Sequence, residues 1–144
     1  MKLQTPPRRL QKTMEHLVRE AFAEPDLETV FVTACVCLLL RWHMIYLDFP
    51  IKFHPSRKSL NKARGEKGKV GYVSYDLDGA TEMNLLLPSC WKKRGWSQRE
   101  YYQVVIHECA HAIGQSHVEL STEWYERQFG WGKKEKIGKD HYGA

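Results

Sequence analysis

The chain has few cysteines and no long apolar run, and each absence excludes a class of protein. Its four cysteines form no CxxC pair and no disulfide-framework spacing, so we expect a reducing, cytoplasmic setting. The longest apolar run, residues 30–40, spans eleven residues, which is too short to cross a bilayer and indicates a buried helix. The first twelve residues have no apolar stretch after their charges, which argues against a secretory signal.

The length of 144 residues predicts a single domain, 1–144, with room for one hydrophobic core. Residues 1–9 form a basic lead and residues 131–144 a polar tail, and we expect both to be flexible. Apolar periodicity predicts a helix from about 10 to 23 and a last helix over 118–129. It also predicts a second helix, which Asp26 caps and which runs to about Tyr46.

Alternation of apolar and polar residues predicts three short strands in the middle of the chain. Ile51 and Phe53 mark an edge strand between two prolines, and 70–75 and 81–87 form a hairpin. The polar, basic stretch 56–69 predicts a loop, and a second basic link, 90–96, follows the hairpin. These elements predict an α+β fold in which a small, mostly antiparallel sheet packs on helices.

The segment 97–117 contains the pattern HExxHxxGxxH, whose fixed positions are His107, Glu108, His111, Gly114 and His117. This is the spacing of three histidine ligands with a general base beside them. HExxH alone should arise by chance about once in thirty such chains, whereas all five positions should arise on the order of once in ten thousand. The pattern therefore indicates a metal site.

Helical geometry explains the spacing of the motif. Ser97 and Glu100 form a capping box that begins a helix, and an apolar stripe then predicts that the helix is buried on one side. His107 and His111 lie four residues apart, so both imidazoles leave the same face and can reach one ion. Gly114 can adopt the left-handed conformation that ends the helix and turns the chain back.

We expect the ion to be Zn²⁺, held by His107, His111 and His117, because neutral imidazole suits zinc and three ligands leave a position for water. Bound water then has a pKa of about 7, and Glu108 can take its proton and pass it to a leaving amine. If the turn runs differently, the third ligand would be Glu123, Glu126 or His141. We expect the cleft to run along an edge strand, to which a peptide substrate could add.

Several other side chains have a structural interpretation that we favour over a functional one. His43 is expected to be a partly buried histidine with satisfied hydrogen bonds, and Cys109 is expected to pack inward as a small hydrophobe. Tyr101, Tyr125 or Tyr142 could donate a hydrogen bond to a developing oxyanion. Aromatic residues at helical spacing more often belong to the core, so we assign none of them that role.

These motifs together resemble the SprT-like metalloproteases, the group that includes Spartan, over roughly residues 26–130. The resemblance rests on GYVSYD (71–76), a second strand ending in MNLLLP (83–88), the HExxH helix, and His117 and Trp124 downstream. It implies a minimal zincin-like fold with the HExxH helix in the core, zinc on the three histidines and Glu108 as catalytic base. It also implies peptide-bond hydrolysis, with proteins bound or crosslinked to DNA as substrates and no membrane partner; the oligomeric state stays open.

The chain departs from that family in two ways. It lacks the four-cysteine zinc ribbon that many members carry after the protease domain. The interval between His111 and His117 is compact, like that of the metzincins, but every Met of this chain precedes the motif, so no methionine turn can follow it. We therefore expect a minimal zincin with a metzincin-like ligand interval.

Two other functions stay open. The YbeY-like endoribonucleases place three histidines at the same intervals but usually have Gly where this chain has Glu108, and the acid favours peptide hydrolysis. Alternatively, the zinc is structural and the chain is a nucleic-acid-binding module without catalysis. A structural site would normally have a fourth protein ligand, which disfavours that alternative.

Basic residues cluster in three segments of a chain whose formal net charge is +5. They are Arg57, Lys58, Lys62, Arg64, Lys67 and Lys69; then Lys92, Lys93 and Arg94; and finally Lys133, Lys134 and Lys136. If the segments converge near the cleft they could bind DNA, with Trp91 and Trp96 free to stack on unpaired bases, and the protein would be DNA-associated. Otherwise, basic loops simply keep a small protein soluble.

Overall fold

The computed structural model describes residues 6–65 and 70–114, and these form an α+β fold, as predicted. The described residues contain five α-helices and one three-stranded sheet. The helices are α1 (Arg8–Ala23), α2 (Glu28–Trp42), α3 (Arg57–Arg64), α4 (Pro88–Lys93) and α5 (Gln98–Ile113). The strands are β1 (Ile51–His54), β2 (Gly71–Asp76) and β3 (Gly79–Leu86), and a short 3₁₀ turn, Pro25–Leu27, joins α1 to α2. The predicted helix 118–129, the tail 131–144 and residues 1–5 lie outside the described residues.

The sheet has the strand order β1-β3-β2, so β1 and β2 are its two edges. The hairpin of β2 and β3 is antiparallel and has the predicted position, with Asp76 opposite Gly79. β1 is parallel to β3, with Ile51 beside Met83, so the sheet is mixed rather than mostly antiparallel. A parallel neighbour needs a crossover connection, and α3 with β2 provides it between β1 and β3.

The core lies between the sheet and the layer of α1, α2 and α5, and α5 is buried along nearly its whole length. Tyr101, Val105 and Cys109 of α5 are each at most 1 % exposed, and together they occupy the stripe that the apolar periodicity predicted. Each fully buried large apolar side chain contributes about 1.5–3 kcal/mol to the free energy of unfolding. The motif helix is therefore in the core, and Cys109 packs inward, as predicted.

The start and the end of α2 differ from the prediction. Asp26 lies in the 3₁₀ turn and does not cap α2, whose first residue is Glu28. The helix ends at Trp42, short of the expected Tyr46, because Met44 adopts the left-handed conformation with φ +62°. None of the described helices is long and apolar enough to span a membrane, α2 having only 15 residues.

Two stretches predicted to be irregular are helical. The expected loop 56–69 contains α3, which Ser56 caps by accepting a hydrogen bond from the Ser59 N–H at 3.1 Å and which anchors to the core through the fully buried Leu60. The link 90–96 begins within α4, which starts at Pro88.

The basic lead is also shorter than predicted. Arg8 and Arg9, expected to belong to a flexible lead, are the first two residues of α1. The first hydrogen bond of this helix runs from the backbone N–H of Gln11 to the carbonyl of Pro7, at 3.1 Å. The helix therefore begins two residues earlier than the apolar periodicity indicated, because polar residues in its first turn carry no apolar signal.

Candidate metal centre

The motif helix begins and ends at the residues that the sequence predicted. Ser97 Oγ accepts a hydrogen bond from the Glu100 N–H at 3.1 Å, and the Ser97 hydroxyl lies 3.2 Å from the Glu100 carboxylate. At the other end Gly114 has φ +107°, and its N–H donates to the carbonyl of His111 at 2.9 Å. The ends of α5 place the histidines within its last two turns.

His107 and His111 face each other on one side of α5. Their Nε2 atoms are 3.1 Å apart, and the two rings are nearly perpendicular at 83°. A zinc ion bound at about 2.0–2.1 Å by two imidazoles in tetrahedral geometry separates their nitrogens by about 3.3–3.4 Å. The observed separation differs from that by a few tenths of an ångström, so this pair of residues fits a zinc ion.

The predicted third ligand, His117, lies outside the described residues. Within 6–65 and 70–114, no three His, Cys, Asp or Glu side chains are grouped to hold a metal. The predicted ligand His117 follows Gly114 in the part of the chain that is not described, as do the substitutes Glu123, Glu126 and His141. The structure thus places two of the three predicted ligands, and His117 stays a prediction.

Glu108 is fully buried against the edge strand β2. A Cβ added to Gly71, the first residue of β2, would lie 3.0 Å from Glu108 Oε2 and 3.1 Å from its Cγ. It would also lie 3.3 Å from the main-chain oxygen of Asn84 on β3. A side chain at this position would push the carboxylate aside by a few tenths of an ångström, so glycine permits β2 and the predicted base to pack this closely.

Tyr75, near the end of β2, is a site residue that sequence reasoning missed. Its hydroxyl donates a 2.6 Å hydrogen bond to the carbonyl of His111 in the last turn of α5. Partial burial, and then the negative charge of Glu108, raise the pKa of Tyr75 to about 12, so the hydroxyl stays protonated at neutral pH. The available signal was the period-two alternation of β2, which puts Tyr75 on the same face as Gly71.

Other candidates near the motif have structural roles. His43 is buried, and its Nδ1 lies 3.0 Å from the carbonyl of Leu39, which confirms the prediction of a satisfied histidine. The Tyr101 hydroxyl is buried and donates to the carbonyl of Leu86 at 2.6 Å. Tyr125 and Tyr142 lie outside the described residues.

Two of the predicted basic segments meet at Trp96. The guanidinium carbon of Arg94 lies 4.5 Å from the centre of the Trp96 ring, and that of Arg57 lies 5.8 Å from it. Burial raises the pKa of the Cys90 thiol, and the nearby positive charges of Arg94, Lys93 and Arg57 partly offset that rise. We call Arg57, Lys93, Arg94 and Trp96 the tryptophan cluster.

The tryptophan cluster lies at the N-terminal end of α5, whereas the histidines are near its C-terminal end. Gln98 and His107 are separated by about 14 Å along the helix axis. The prediction that Trp91 is free to stack on bases is wrong, because its ring is fully buried and its Nε1–H donates to the carbonyl of Ser97 at 2.8 Å. Trp96 is partly exposed.

The remaining basic residues are more scattered. Lys58 and Lys62, on α3, line an open cavity of about 600 Å³. Lys92 is exposed in the last turn of α4, and Arg64 is the last residue of α3. Lys67, Lys69 and the segment 133–136 lie outside the described residues.

Two facing imidazoles can bind a divalent ion, and a carboxylate on the residue next to one of them can take a proton from water bound to that ion. Comparison of the chain with protein-family models, curated proteins and solved structures finds no match.

Proposed function

We propose that this chain is a zinc-dependent metallopeptidase of the SprT-like type, which hydrolyses peptide bonds. The observation that carries the proposal is the pair of Nε2 atoms of His107 and His111, 3.1 Å apart, on a helix whose neighbouring residue Glu108 is fully buried and packs against Gly71. Neither a solvated glutamate nor two incidental histidines would need this packing.

His107 and His111 would hold the ion through Nε2, and His117 is the proposed third ligand. Zinc held there supplies Lewis acidity, which polarises a carbonyl and makes water a nucleophile near neutral pH. Glu108 takes a proton from the attacking water on a carboxylate oxygen and delivers it to the nitrogen of the leaving amine. Tyr75 holds the last turn of α5 to β2, which keeps the base and the histidines in register.

The edge strand β2 supports a peptide as the substrate. Among the described residues, β2 pairs only with β3, so its other edge has main-chain groups to which an extended polypeptide could add. Gly71, at the start of that edge, is the residue that approaches Glu108. A polypeptide along β2 would thus pass the proposed catalytic base.

Contact with nucleic acid is a second candidate function, which the tryptophan cluster favours. Two guanidinium groups lie over one partly exposed indole, and the ammonium group of Lys93 acts with them on the thiol of Cys90. Such a group of cations and an aromatic ring can bind phosphates and stack a base. The proposed substrates are therefore DNA-associated proteins, with single-stranded DNA bound about 14 Å or more from the histidines along α5.

The two alternatives from the sequence differ from this proposal in what Glu108 does. A YbeY-like ribonuclease would not need a carboxylate at that position, and a zinc-stabilised binding module would not need it for any reaction. The packing of Gly71 against Glu108 supports a role for the carboxylate, since a strand residue with a side chain there would displace it.

A paired digestion tests the proposal. Zinc-loaded protein at low salt is mixed with a basic, loosely folded protein, with and without single-stranded DNA, and separately with a labelled RNA. We expect protein cleavage that rises with DNA and is lost in Glu108→Gln. RNA cleavage that persists in Glu108→Gln would instead assign the chain to the nuclease class.

Salt-dependent DNA binding tests the tryptophan cluster separately. Arg94→Gln should weaken binding of single-stranded DNA and reduce the slope of log affinity against log salt by about one. Arg41→Gln is a matched control, because Arg41 also lies over an aromatic ring, that of Tyr46 at 5.9 Å, but outside the cluster. Equal effects of the two substitutions would refute a specific DNA contact at Trp96.

A further inference from the structure

A connected chain of side-chain hydrogen bonds lies at the edge of the sheet opposite β2. His54, the last residue of β1, is buried; its Nε2 lies 2.8 Å from Asn84 Oδ1 and its Nδ1 lies 3.0 Å from Ser59 Oγ. Asn84 Nδ2 donates to Glu82 Oε1 at 2.9 Å, and Glu82 Oε2 contacts Lys52 Nζ at 2.8 Å. We call these five residues the Ser59 relay.

The charge of Glu82 determines the direction of every hydrogen bond in the relay. Hydrogen bonds from Lys52 and then Asn84 lower the pKa of Glu82, so at neutral pH its carboxylate is ionised and can only accept. Asn84 Nδ2 therefore donates to Glu82, which leaves Asn84 Oδ1 to accept from His54. In the neutral form of its imidazole, His54 then has its proton on Nε2 and a lone pair on Nδ1, which accepts a hydrogen bond from the Ser59 hydroxyl.

This arrangement is that of a serine nucleophile with a general base. The base contacts the hydroxyl on one side, and a third group on the other side holds the imidazole in the tautomer that can take the proton. Here Nδ1 faces the serine and Nε2 faces the orienting Asn84. In the serine proteases, by contrast, Nε2 faces the serine and Nδ1 faces the orienting group. Either imidazole nitrogen can accept a proton, so this exchange of the two nitrogens leaves the acid–base chemistry intact.

Ser59 is also accessible from a cavity that suits an anion. It is partly exposed and lines the cavity of about 600 Å³ together with Lys58 and Lys62, whose ammonium groups attract negative charge. Ser59 lies in the first turn of α3, where the helix dipole also favours negative charge that develops on a carbonyl oxygen.

We propose that Ser59 is a second nucleophile of this chain, activated by His54, and that its cavity accepts small acyl esters that carry a negative charge. Ser59 Oγ attacks the ester carbonyl carbon while its proton moves to His54 Nδ1. The carbon–oxygen bond of the ester then breaks, and the leaving alcohol takes that proton. Water releases the acyl group from Ser59 by the same steps in reverse, with His54 Nδ1 again carrying the proton.

The Ser59 relay is separate from the proposed zinc centre. β1 and β2 lie on opposite sides of β3, two strand spacings or about 10 Å apart. The reactivity of Ser59 should therefore survive metal chelation and the Glu108→Gln substitution. Loss of reactivity under either condition would overturn the assignment of Ser59 as a nucleophile activated by His54 alone.

A fluorophosphonate probe tests the proposal on the 144-residue chain. The Ser59 oxygen should displace fluoride from phosphorus and leave a covalent adduct that peptide mass spectrometry assigns to Ser59. A general base contributes about 10²–10⁴-fold, so Ser59 should react at least about a hundredfold faster than other serines. Ser89 and Ser97 are internal controls, because their hydroxyls donate to the carboxylates of Glu28 and Glu100 and contact no imidazole.

Three substitutions separate a catalytic relay from a structural one. Ser59→Ala should abolish labelling, and His54→Gln should slow it about a hundredfold. Glu82→Gln should slow the labelling of Ser59 by an intermediate factor. The glutamine amide can donate a hydrogen bond to Asn84, which permits the Asn84 amide to flip and to stop holding His54 in the reactive tautomer. A charged ester, 4-nitrophenyl hemisuccinate, should be cleaved faster than 4-nitrophenyl acetate. Absence of a Ser59 adduct on folded wild-type protein, or unchanged labelling of folded His54→Gln, would overturn the proposal.

Discussion

Replacement of Gly71 by alanine tests whether β2 positions the proposed base. The new methyl group would lie 3.0 Å from Glu108 Oε2, whereas ordinary van der Waals contact begins near 3.4 Å. The Asn84 oxygen, 3.3 Å away, belongs to the main chain of β3 and is held in the sheet, so the carboxylate of Glu108 must give way. We expect it to shift by several tenths of an ångström.

The size of the effect follows from that shift. A misplacement of about 1 Å at a catalytic group costs about a hundredfold in rate, so several tenths of an ångström should lower kcat about five- to tenfold. Overpacking costs about 1–3 kcal/mol, and the low end applies here because a side chain yields more easily than main chain. Zinc content should be unchanged, because the histidines are not displaced.

Gly65→Ala is the matched control for this substitution. Gly65 has φ +82° and no atom within 4 Å of an added Cβ, so alanine there is strained by about 1–2 kcal/mol without touching the site. Urea unfolding, zinc content and kcat for protein cleavage should be measured for both variants. A Gly71→Ala protein with wild-type kcat, or equal losses of kcat in both variants, would refute the positioning argument.

Three further predictions concern side chains around the site and the sheet. Tyr75→Phe removes one partly exposed hydrogen bond to the last turn of α5, and urea unfolding should show a loss of about 0.5–1 kcal/mol. Burial raises the pKa of Cys35 to about 12 and also raises that of Cys109, so at pH 8 a disulfide reagent should label both only after unfolding. Lys52 lowers the pKa of Glu82, so the pair stabilises the fold above the unfolded pKa of about 4.5, and this contribution is lost as the pH falls through the lower folded value. Glu82→Gln should therefore flatten the dependence of the urea midpoint on pH below 4.5.

Each of these predictions has a result that contradicts it. An unchanged urea midpoint in Tyr75→Phe would mean that the hydrogen bond from Tyr75 to His111 makes no net contribution to the free energy of unfolding. Labelling of Cys109 in native protein as fast as of the two partly exposed thiols would contradict its burial. An identical acid dependence of wild type and Glu82→Gln would show that the ion pair with Lys52 does not form in solution.

Features that depend on local chemistry could be predicted from the sequence. Ser97 and Gly114 determine the ends of α5 through a side-chain cap and a left-handed residue, and both effects act within one turn. The spacing of His107 and His111 predicted that they meet, since two residues one helical turn apart must share a face. The hairpin was likewise determined by its own alternation and turn.

Features that depend on distant contacts could not be predicted. The eight-residue α3 places one residue, Leu60, deep in the core, which is too little for a periodic pattern to show. Trp91 looks like an exposed aromatic in a basic link, and only its hydrogen bond to the carbonyl of Ser97 and its packing reveal a core residue. The close approach of Gly71 to Glu108 joins residues 37 positions apart, which no local pattern encodes.

The most direct test of the central claim compares wild type with Glu108→Gln after loading with zinc. Metal analysis of the purified chains and digestion of a loosely folded protein should be measured on the same samples. We expect one zinc per chain in both proteins and peptide-bond cleavage only in the wild type. Full cleavage by Glu108→Gln, or failure of the wild type to bind zinc, would contradict it.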